Sequence, residues 1–473
     1  MSINKSPFSR KDDIGFVYFK DQRVFRSINT GHTQQIYDLV NSKLLCELTD
    51  KGLTPRTSIV QYDQANHDLL LEHERIAPCI YPFEWSPEMA RRAALAIIEI
   101  NTIANTHGYE LKDSHPYNVM FRGPNPVFVD LGSIVPKSTK TGWIAIDEFE
   151  RSFLYPLKAY ASGMHQNFHR AYLYSNGIPF EEHVIATHPI LRLLRRHRLK
   201  QISRVISVLR NIDVYKEEQI EKRFRSNVLR KAFRFAQKHD LRFKRFRPTV
   251  LRKKLNSLNL STKSEWGDYH ERSGFYSITG NTKLSKRFER ILELVKELQP
   301  HSTIDIAGNQ GVLAREIARI PCVNHVICGD LDSQAIDQLV KNLRPEESVY
   351  PANFNFMGEI WQNLTKERAP RLRSDLVLAL ALTHHLILTQ QYTLDSIIEG
   401  LAKLSNRYIM VEFMPLGLWT KDTPTRPTPD FYTVEWFRSG LSKQASILLE
   451  EKVGKNRILF LAEKHSHSND SIK

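Results

Sequence analysis

Cysteine is scarce in this 473-residue chain: four residues, Cys46, Cys79, Cys322 and Cys328, with no C-x-x-C pair among them. That scatter excludes a disulfide framework and a cysteine zinc site and suits a reducing compartment. No apolar run reaches the roughly 18 residues of a membrane span, and the N-terminal MSINKSPFSRKDD has no apolar signal core. The expectation is a cytoplasmic protein. Internal repeats and low-complexity tracts are missing too. So is a glycine-rich loop near the start, where Gly15 stands alone before Ile28.

What is present is a globular composition, 41% apolar and 25% charged, in a chain long enough for about two or three domains. The net charge of +15 is unevenly placed. Residues 191–254 hold 22 Lys and Arg against 5 Asp and Glu, leaving the rest close to neutral. A partner of this segment would be anionic.

The chain is organised around Thr303 to Leu339. A short strand ending in Asp305-Ile306 runs into Ala307-Gly308-Asn309-Gln310-Gly311 and then a helix with Leu313, Ile317 and Ile320 at helical spacing. A second apolar strand ends at Gly329-Asp330, nineteen residues after Gly311. Glycines at such a turn let the backbone approach a ligand, and an acid at the next strand tip can accept hydrogen bonds from ribose hydroxyls. The order is D-x-x-G-x-x-G, not the dinucleotide G-x-G-x-x-G. Asp305 would repel a phosphate and suits an ammonium or sulfonium centre. The stretch resembles the first two motifs of class I S-adenosylmethionine (SAM) methyltransferases. That resemblance implies Asp305, Gly308 and Gly311 on the methionine side of the cofactor and Asp330 on its ribose.

Earlier in the chain, Ile14 to Ile28 reads as two strands joined at Lys20-Asp21-Gln22, Gln34 to Leu48 as an amphipathic helix, and Pro87 to about Thr106 as a long helix with Ser86 as N-cap. Then come KDSHPYNVMF and VFVDLG. Asp113, Asn118 five residues on, and Asp130 closing a following strand resemble the catalytic loop and metal-binding motif of the protein kinase and aminoglycoside phosphotransferase superfamily. By that resemblance Asp113 would orient an acceptor hydroxyl, while Asn118 and Asp130 would hold the magnesium of Mg-ATP. The departures are the missing glycine-rich loop, Arg26 as the nearest stand-in for a strand lysine, and Glu47 as the only acid near the end of the following helix. Arginine is not a simple replacement for a phosphate-holding lysine. The pattern predicts a degenerate module that binds or positions something. The bland reading leaves Asp113 and Asn118 shaping a loop and Asp130 capping a turn.

Gly142 to Tyr160 continues the helical pattern, and Ala161 to Lys254 repeats apolar residues at three and four. Phe224, Phe233, Phe235, Phe243 and Phe246 are interleaved there with Arg and Lys. They suit either single-stranded nucleic acid or a helical linker packed on its neighbours. Trp266, Tyr269 and Tyr276 follow in an aromatic segment suited to a lid or to simple packing.

Beyond Asp330, residues 349–356 read as a third strand whose exit places Asn355, or Asn353, at the adenine position. Asp375 to Leu386 reads as a fourth, doubly covered strand delivering Thr383, His384 and His385 to its C-terminal end. A histidine there could act as general base. Tyr408 to Phe413 and two later strands bring the count to seven.

KDSHPYNVMFRGPNPVFVDLGSI, SEWGDY, DIAGNQG, DLVLALALTHHLIL and IMVEFMP together resemble a bacterial family of two-part class I SAM-dependent methyltransferases related to a host-specific nodulation protein. The implied fold is α/β: a C-terminal Rossmann-like seven-stranded methyltransferase domain over 261–473, preceded by an α+β kinase-like domain over 1–160 and a basic helical segment over 161–260. The expected activity is methyl transfer to O or N of a small-molecule or surface-glycan acceptor. The rivals are a bifunctional kinase and methyltransferase, and an RNA-binding protein that uses the basic middle.

Overall fold

The computed structural model describes residues 13–63, 66, 68–138, 142–173, 177–187, 247–262, 284–358, 371–419 and 427–465. Strands β1 (Gly15–Lys20) and β2 (Arg23–Ile28) form a hairpin. Its turn residues Asp21 and Gln22 both have positive φ, 46° and 65°, the backbone a tight two-residue turn requires. Helices α1 (Thr33–Val40) and α2 (Lys43–Asp50) follow where the sequence predicts one helix. The chain restarts because Ser42 Oγ accepts the Leu45 N–H at 3.2 Å, an N-cap that opens α2. Strand β3 (Thr57–Asp63) escaped the sequence reading. It lies at the sheet edge with no fully buried residue, so it carries no apolar alternation. With β4 (Asp68–His73) it completes an antiparallel sheet of order β1-β2-β4-β3.

Helix α3 (Pro87–Thr106) starts as predicted, from a Ser86 cap with Pro87 in its first turn. It buries Met89, Ala93, Ile97, Ile100 and Ala104 along one face. Strand β5 (Tyr109–Leu111) pairs with β8 (Ile134–Pro136), and between them stands the hairpin of β6 (Val119–Arg122) and β7 (Asn125–Phe128). Then come α4 (Ile146–Phe149), a π-helical turn over Glu150–Leu154, and α5 (Tyr155–Ala161). Helices α6 (His165–Leu173) and α7 (Phe180–Thr187) pack on α5, and α8 (Pro248–Asn256) packs on α3. Of the basic stretch 191–254, residues 191–246 lie outside the described residues, and with them Phe224, Phe233, Phe235, Phe243 and Phe246. Trp266, Tyr269 and Tyr276 also lie outside them.

The second body opens with α9 (Lys286–Leu298), capped by Ser285. Along the chain follow β9 (Ser302–Ile306), α10 (Val312–Ile317), β10 (His325–Asp330), α11 (Ser333–Asn342) and β11 (Val349–Asn353). The remainder is β12 (Ser374–Ala379), α12 (Thr383–Leu388), α13 (Leu394–Leu404), β13 (Ser405–Phe413), α14 (Val434–Ser442), β14 (Ala445–Gly454) and β15 (Arg457–Lys464). Seven strands form one sheet of order β11-β10-β9-β12-β13-β15-β14, in which β15 runs antiparallel to both its neighbours. Strands β9 to β13 pair in parallel and their central residues are buried throughout. The winding reverses between β9 and β12. In open α/β sheets that switch point opens a crevice at the carboxyl ends of the strands.

The fourth strand of this sheet is shorter than its apolar run suggests. Strand β12 stops at Ala379, Ala381 takes a left-handed φ of 52°, and Thr383 to Leu388 coil into α12. Periodicity cannot separate a buried strand from a buried helical turn in an unbroken apolar run. The two bodies touch through polar contacts: the Glu88 N–H donates to Asp337 Oδ1 at 2.8 Å, and Asn125 Nδ2 donates to the Pro345 carbonyl at 2.8 Å.

Candidate functional site

At the switch point, Asp305 is nearly fully buried at the end of β9, under the turn that leads to α10. Gly308 is required there by space: a Cβ would stand 2.7 Å from Cys328 Sγ and 2.8 Å from Asp305 Oδ2. Gly311 is required twice, by a φ of 70° and by Leu339, whose Cδ1 would lie 2.6 Å from an added Cβ. Ala307 and Asn309 also have positive φ, 60° and 51°. The strain of this turn therefore extends to two residues that the sequence reading passed over.

Asp330 ends β10 beside that turn. Its Oδ2 accepts the Asn309 N–H at 2.9 Å and its Oδ1 the Asp332 N–H at 2.8 Å. Burial pushes its pKa up to about 6 against those backbone bonds. Asp305 is pushed up to about 7, chiefly by burial; the Arg287 guanidinium opposes this, while Asp330 and Glu412 add to it. Two carboxyls thus lie on adjacent paired strands, both raised by desolvation.

The two asparagines expected at the adenine differ in their surroundings. Asn355 is exposed and its Oδ1 accepts the Met357 N–H at 3.0 Å, which makes it a turn residue. Asn353 is buried and ties strand tips together, donating Nδ2 to the Asp330 and Leu331 carbonyls at 2.8 and 3.0 Å.

His384 and His385 stand in the first turn of α12, not on the tip of a strand, with ring centroids 4.1 Å apart. His384 is buried, its Nδ1 has no hydrogen-bond partner, and burial with the nearby His385 and Arg457 pushes its pKa down to about 3. It is a neutral ring. His385 is half-buried.

Beneath α12 lies a group that the sequence reading missed. Glu412, fully buried on β13, takes Arg287 Nε at 2.5 Å and Nη2 at 2.8 Å, Arg457 Nη1 at 2.9 Å and the Ala381 N–H at 2.9 Å. Thr383 Oγ1 donates to the Glu412 carbonyl at 2.8 Å. Burial alone would raise the Glu412 carboxyl, but Arg287 and Arg457 outweigh it and hold the group below its ordinary range. A lone acid inside the apolar run IMVEF was the available signal, since a buried charge needs partners.

In the first body, Asp113, Asn118 and Asp130 do come together. Asn118 Nδ2 donates to Asp113 Oδ1 at 2.7 Å and reaches Asp130 Oδ2 at 3.4 Å. Ser133 Oγ lies 2.6 Å from Asp113 Oδ1 and 2.5 Å from Asp130 Oδ2. One hydroxyl proton cannot serve both oxygens. Burial pushes the Asp113 pKa up to about 6, while the Ser133 hydrogen bond opposes the rise. Arg26 Nη1 donates to Asp130 Oδ1 at 3.1 Å, the strand cation closing directly on the acid. Glu47 bonds His107 Nε2 at 3.0 Å instead of Arg26. Among the described residues no group of three His, Cys, Asp or Glu is arranged to hold a metal ion. Nor is any described helix long and apolar enough to cross a membrane.

Fold and crevice together define a mixed α/β protein whose larger sheet is doubly wound around a glycine turn flanked by two carboxyls. Over 488 aligned residues the chain is 24% identical to nodulation protein NoeA of Rhizobium meliloti (strain 1021), covering 96% of this chain and 95% of that one. No protein-family model matches. Among solved structures, the N-methyltransferase NodS from Bradyrhizobium japonicum WM9 aligns with 38% of this chain and 99% of its own, at 12% identity and a TM-score of 0.27. The methyltransferase domain of bacterial CtHen1-C aligns with 38% of this chain and 98% of its own, at 11% identity and a TM-score of 0.30.

Proposed function

We propose that the second body is a SAM-dependent methyltransferase acting on an oxygen or nitrogen of a small-molecule acceptor of the surface-glycan precursor class, which the first body selects or positions. The observation that carries this reading is the pairing of Asp305, buried beneath Gly308, with Asp330 at the neighbouring strand tip. The residues fit the cofactor: with no side chain permitted at Gly308 the turn presents only backbone there, and Asp330 brings two acceptor oxygens to the neighbouring strand tip. Asp305 would face the cationic methionine end and Asp330 the ribose. When bound, the cofactor supplies an electrophilic methyl on a sulfonium.

His385 is the general base of this reading, because it is the half-exposed member of the pair and can meet an acceptor proton. His384, buried and neutral, positions it. Glu412 fixes the Ala381 turn and Thr383, and through them the start of α12.

The bifunctional alternative draws on the assembled Asp113, Asn118 and Asp130 cluster. The ion pair of Arg26 with Asp130 favours a scaffold over Mg-ATP chemistry, since it occupies the acid that would hold magnesium. The RNA-binding alternative rests on residues outside those described. Calorimetric titration with S-adenosylhomocysteine (SAH) and, separately, Mg-ATP tests the two enzyme readings. SAH binding alone supports the methyltransferase reading, binding of both supports the bifunctional one, and binding of neither removes both.

A further inference from the structure

A cavity of about 680 Å³ opens between the end of α12, the start of α13, the loop after β13 and α14. Its size falls within the roughly 300–1,000 Å³ of small-molecule sites. Two glycines shape it. At Gly417 a φ of 56° brings the loop against Leu388 and Thr428, and at Gly440 a Cβ would stand 2.3 Å from Leu394, so α14 approaches α13 at a distance no side chain permits.

The lining divides by chemistry. Tyr392, Phe431 and Trp436 supply aromatic surface. Phe431 is 53% exposed and meets Trp436 edge-on with ring centroids 5.2 Å apart, so an apolar face is left open to a ligand. Asp395 and Lys443 bring opposite charges within 2.8 Å of each other, and both side chains remain more than half exposed. Their charges cancel. The lining therefore offers no net attraction to an anion or a cation, but it offers acceptor oxygens and donor hydrogens next to aromatic rings. Gln391 and Ser439 add neutral polar groups.

We infer that this cavity binds a neutral pyranoside, a ring with C–H faces that stack on aromatics and hydroxyls that both accept and donate. The inference rests on the methyl-transfer reading in one respect. Ile387 and Leu388 line the cavity one helical turn, about 5 Å, beyond His384 and His385. It thus makes the cavity the acceptor subsite and its ligand an uncharged sugar.

The test is saturation-transfer NMR on the full chain with methyl β-glucopyranoside, methyl β-galactopyranoside and methyl N-acetyl-β-glucosaminide, using the methyl glucuronide as the anionic control. The expected result is saturation of at least one neutral glycoside through its C–H face, with weaker transfer to the glucuronide. Trp436→Ala and Asp395→Asn should each weaken binding about tenfold, while Trp436→Phe, which keeps a stacking face, should retain it. SAH affinity should be unchanged in all three. Absence of transfer to every neutral glycoside overturns the inference, as does transfer that survives both Trp436→Ala and Asp395→Asn. If Trp436→Ala fails to fold, Asp395→Asn decides. Failure of the wild type to bind SAH removes the methyl-transfer reading separately, because glycoside binding is read without the cofactor.

Discussion

Arg371 Nη1 donates to Glu84 Oε2 at 2.9 Å, joining two residues 287 positions apart and the two bodies of the molecule. Glu84 is fully buried; Arg371 also donates to the Cys79 carbonyl at 2.6 Å and lies 4.4 Å from the Tyr81 ring centroid. Removing one partner of such a pair strands a buried charge. Glu84→Ala is therefore expected to lose about 3–5 kcal/mol of stability, measured by urea unfolding. A loss under about 1 kcal/mol, the worth of an exposed pair, would mean that the junction opens in solution.

Asp305 links stability to cofactor binding. Its pKa is about 7 folded against an ordinary 3.8, so the folded state holds more protons between those values. Its contribution therefore falls as pH rises through that window, and the full penalty of roughly 4 kcal/mol stands above it. Asp305→Asn should raise Tm more at about pH 8 than at about pH 5, and should abolish SAH binding by calorimetry. Retained SAH affinity in this variant would remove the central claim about the site.

The same ionisation gives the wild type a pH signature. A cationic methionine end favours charged Asp305, so SAH should bind several-fold tighter at about pH 8 than at about pH 6, with proton release on binding at the lower pH. Calorimetry in two buffers of different ionisation enthalpy reads that release. A pH-independent affinity would mean that Asp305 does not face the cation.

His385→Ala should lower kcat by about 10²-fold or more, the usual range for a lost general base, and remove the corresponding limb of the pH profile. His384→Ala should lower kcat less and keep that limb. Glu412→Gln should reduce kcat at least about tenfold through the displaced α12 turn, with SAH affinity little changed. A change in SAH affinity alone would assign Glu412 to the cofactor pocket instead.

Asp113→Ala should leave methyl transfer to a small acceptor intact if the first body only binds or positions. It removes one side of the Ser133 bridge, so a fall in Tm with unchanged turnover is the expected pair of readings. Loss of turnover at full SAH affinity would instead tie the Asp113 cluster to the reaction.

Local chemistry was legible where a residue type has few uses. The Asp305 to Gly311 turn, the acid at Asp330, the Ser86 cap of α3 and the β1-β2 hairpin could all be read from spacing, because glycine, proline, caps and strand tips leave short-range signatures. The sequence by itself also determined which polar groups could gather in the first body, since Asp113, Asn118 and Asp130 sit on one loop and the hairpin after it.

Only the tertiary structure decided the rest. The end of β12 and the start of α12 were hidden because an unbroken buried run has no period to read. Asn353 is inward on β11, whereas Asn355 is outward because the strand ends at Asn353 and Asn355 belongs to the turn that follows. Arg287, Glu412 and Arg457 come from three distant elements, as do Arg371 and Glu84, and no spacing rule joins them. Burial then set the chemistry: the Asp305 carboxyl is raised and the His384 ring stays neutral because folding removed their water, a quantity that depends on every neighbour and is written in no single stretch of chain.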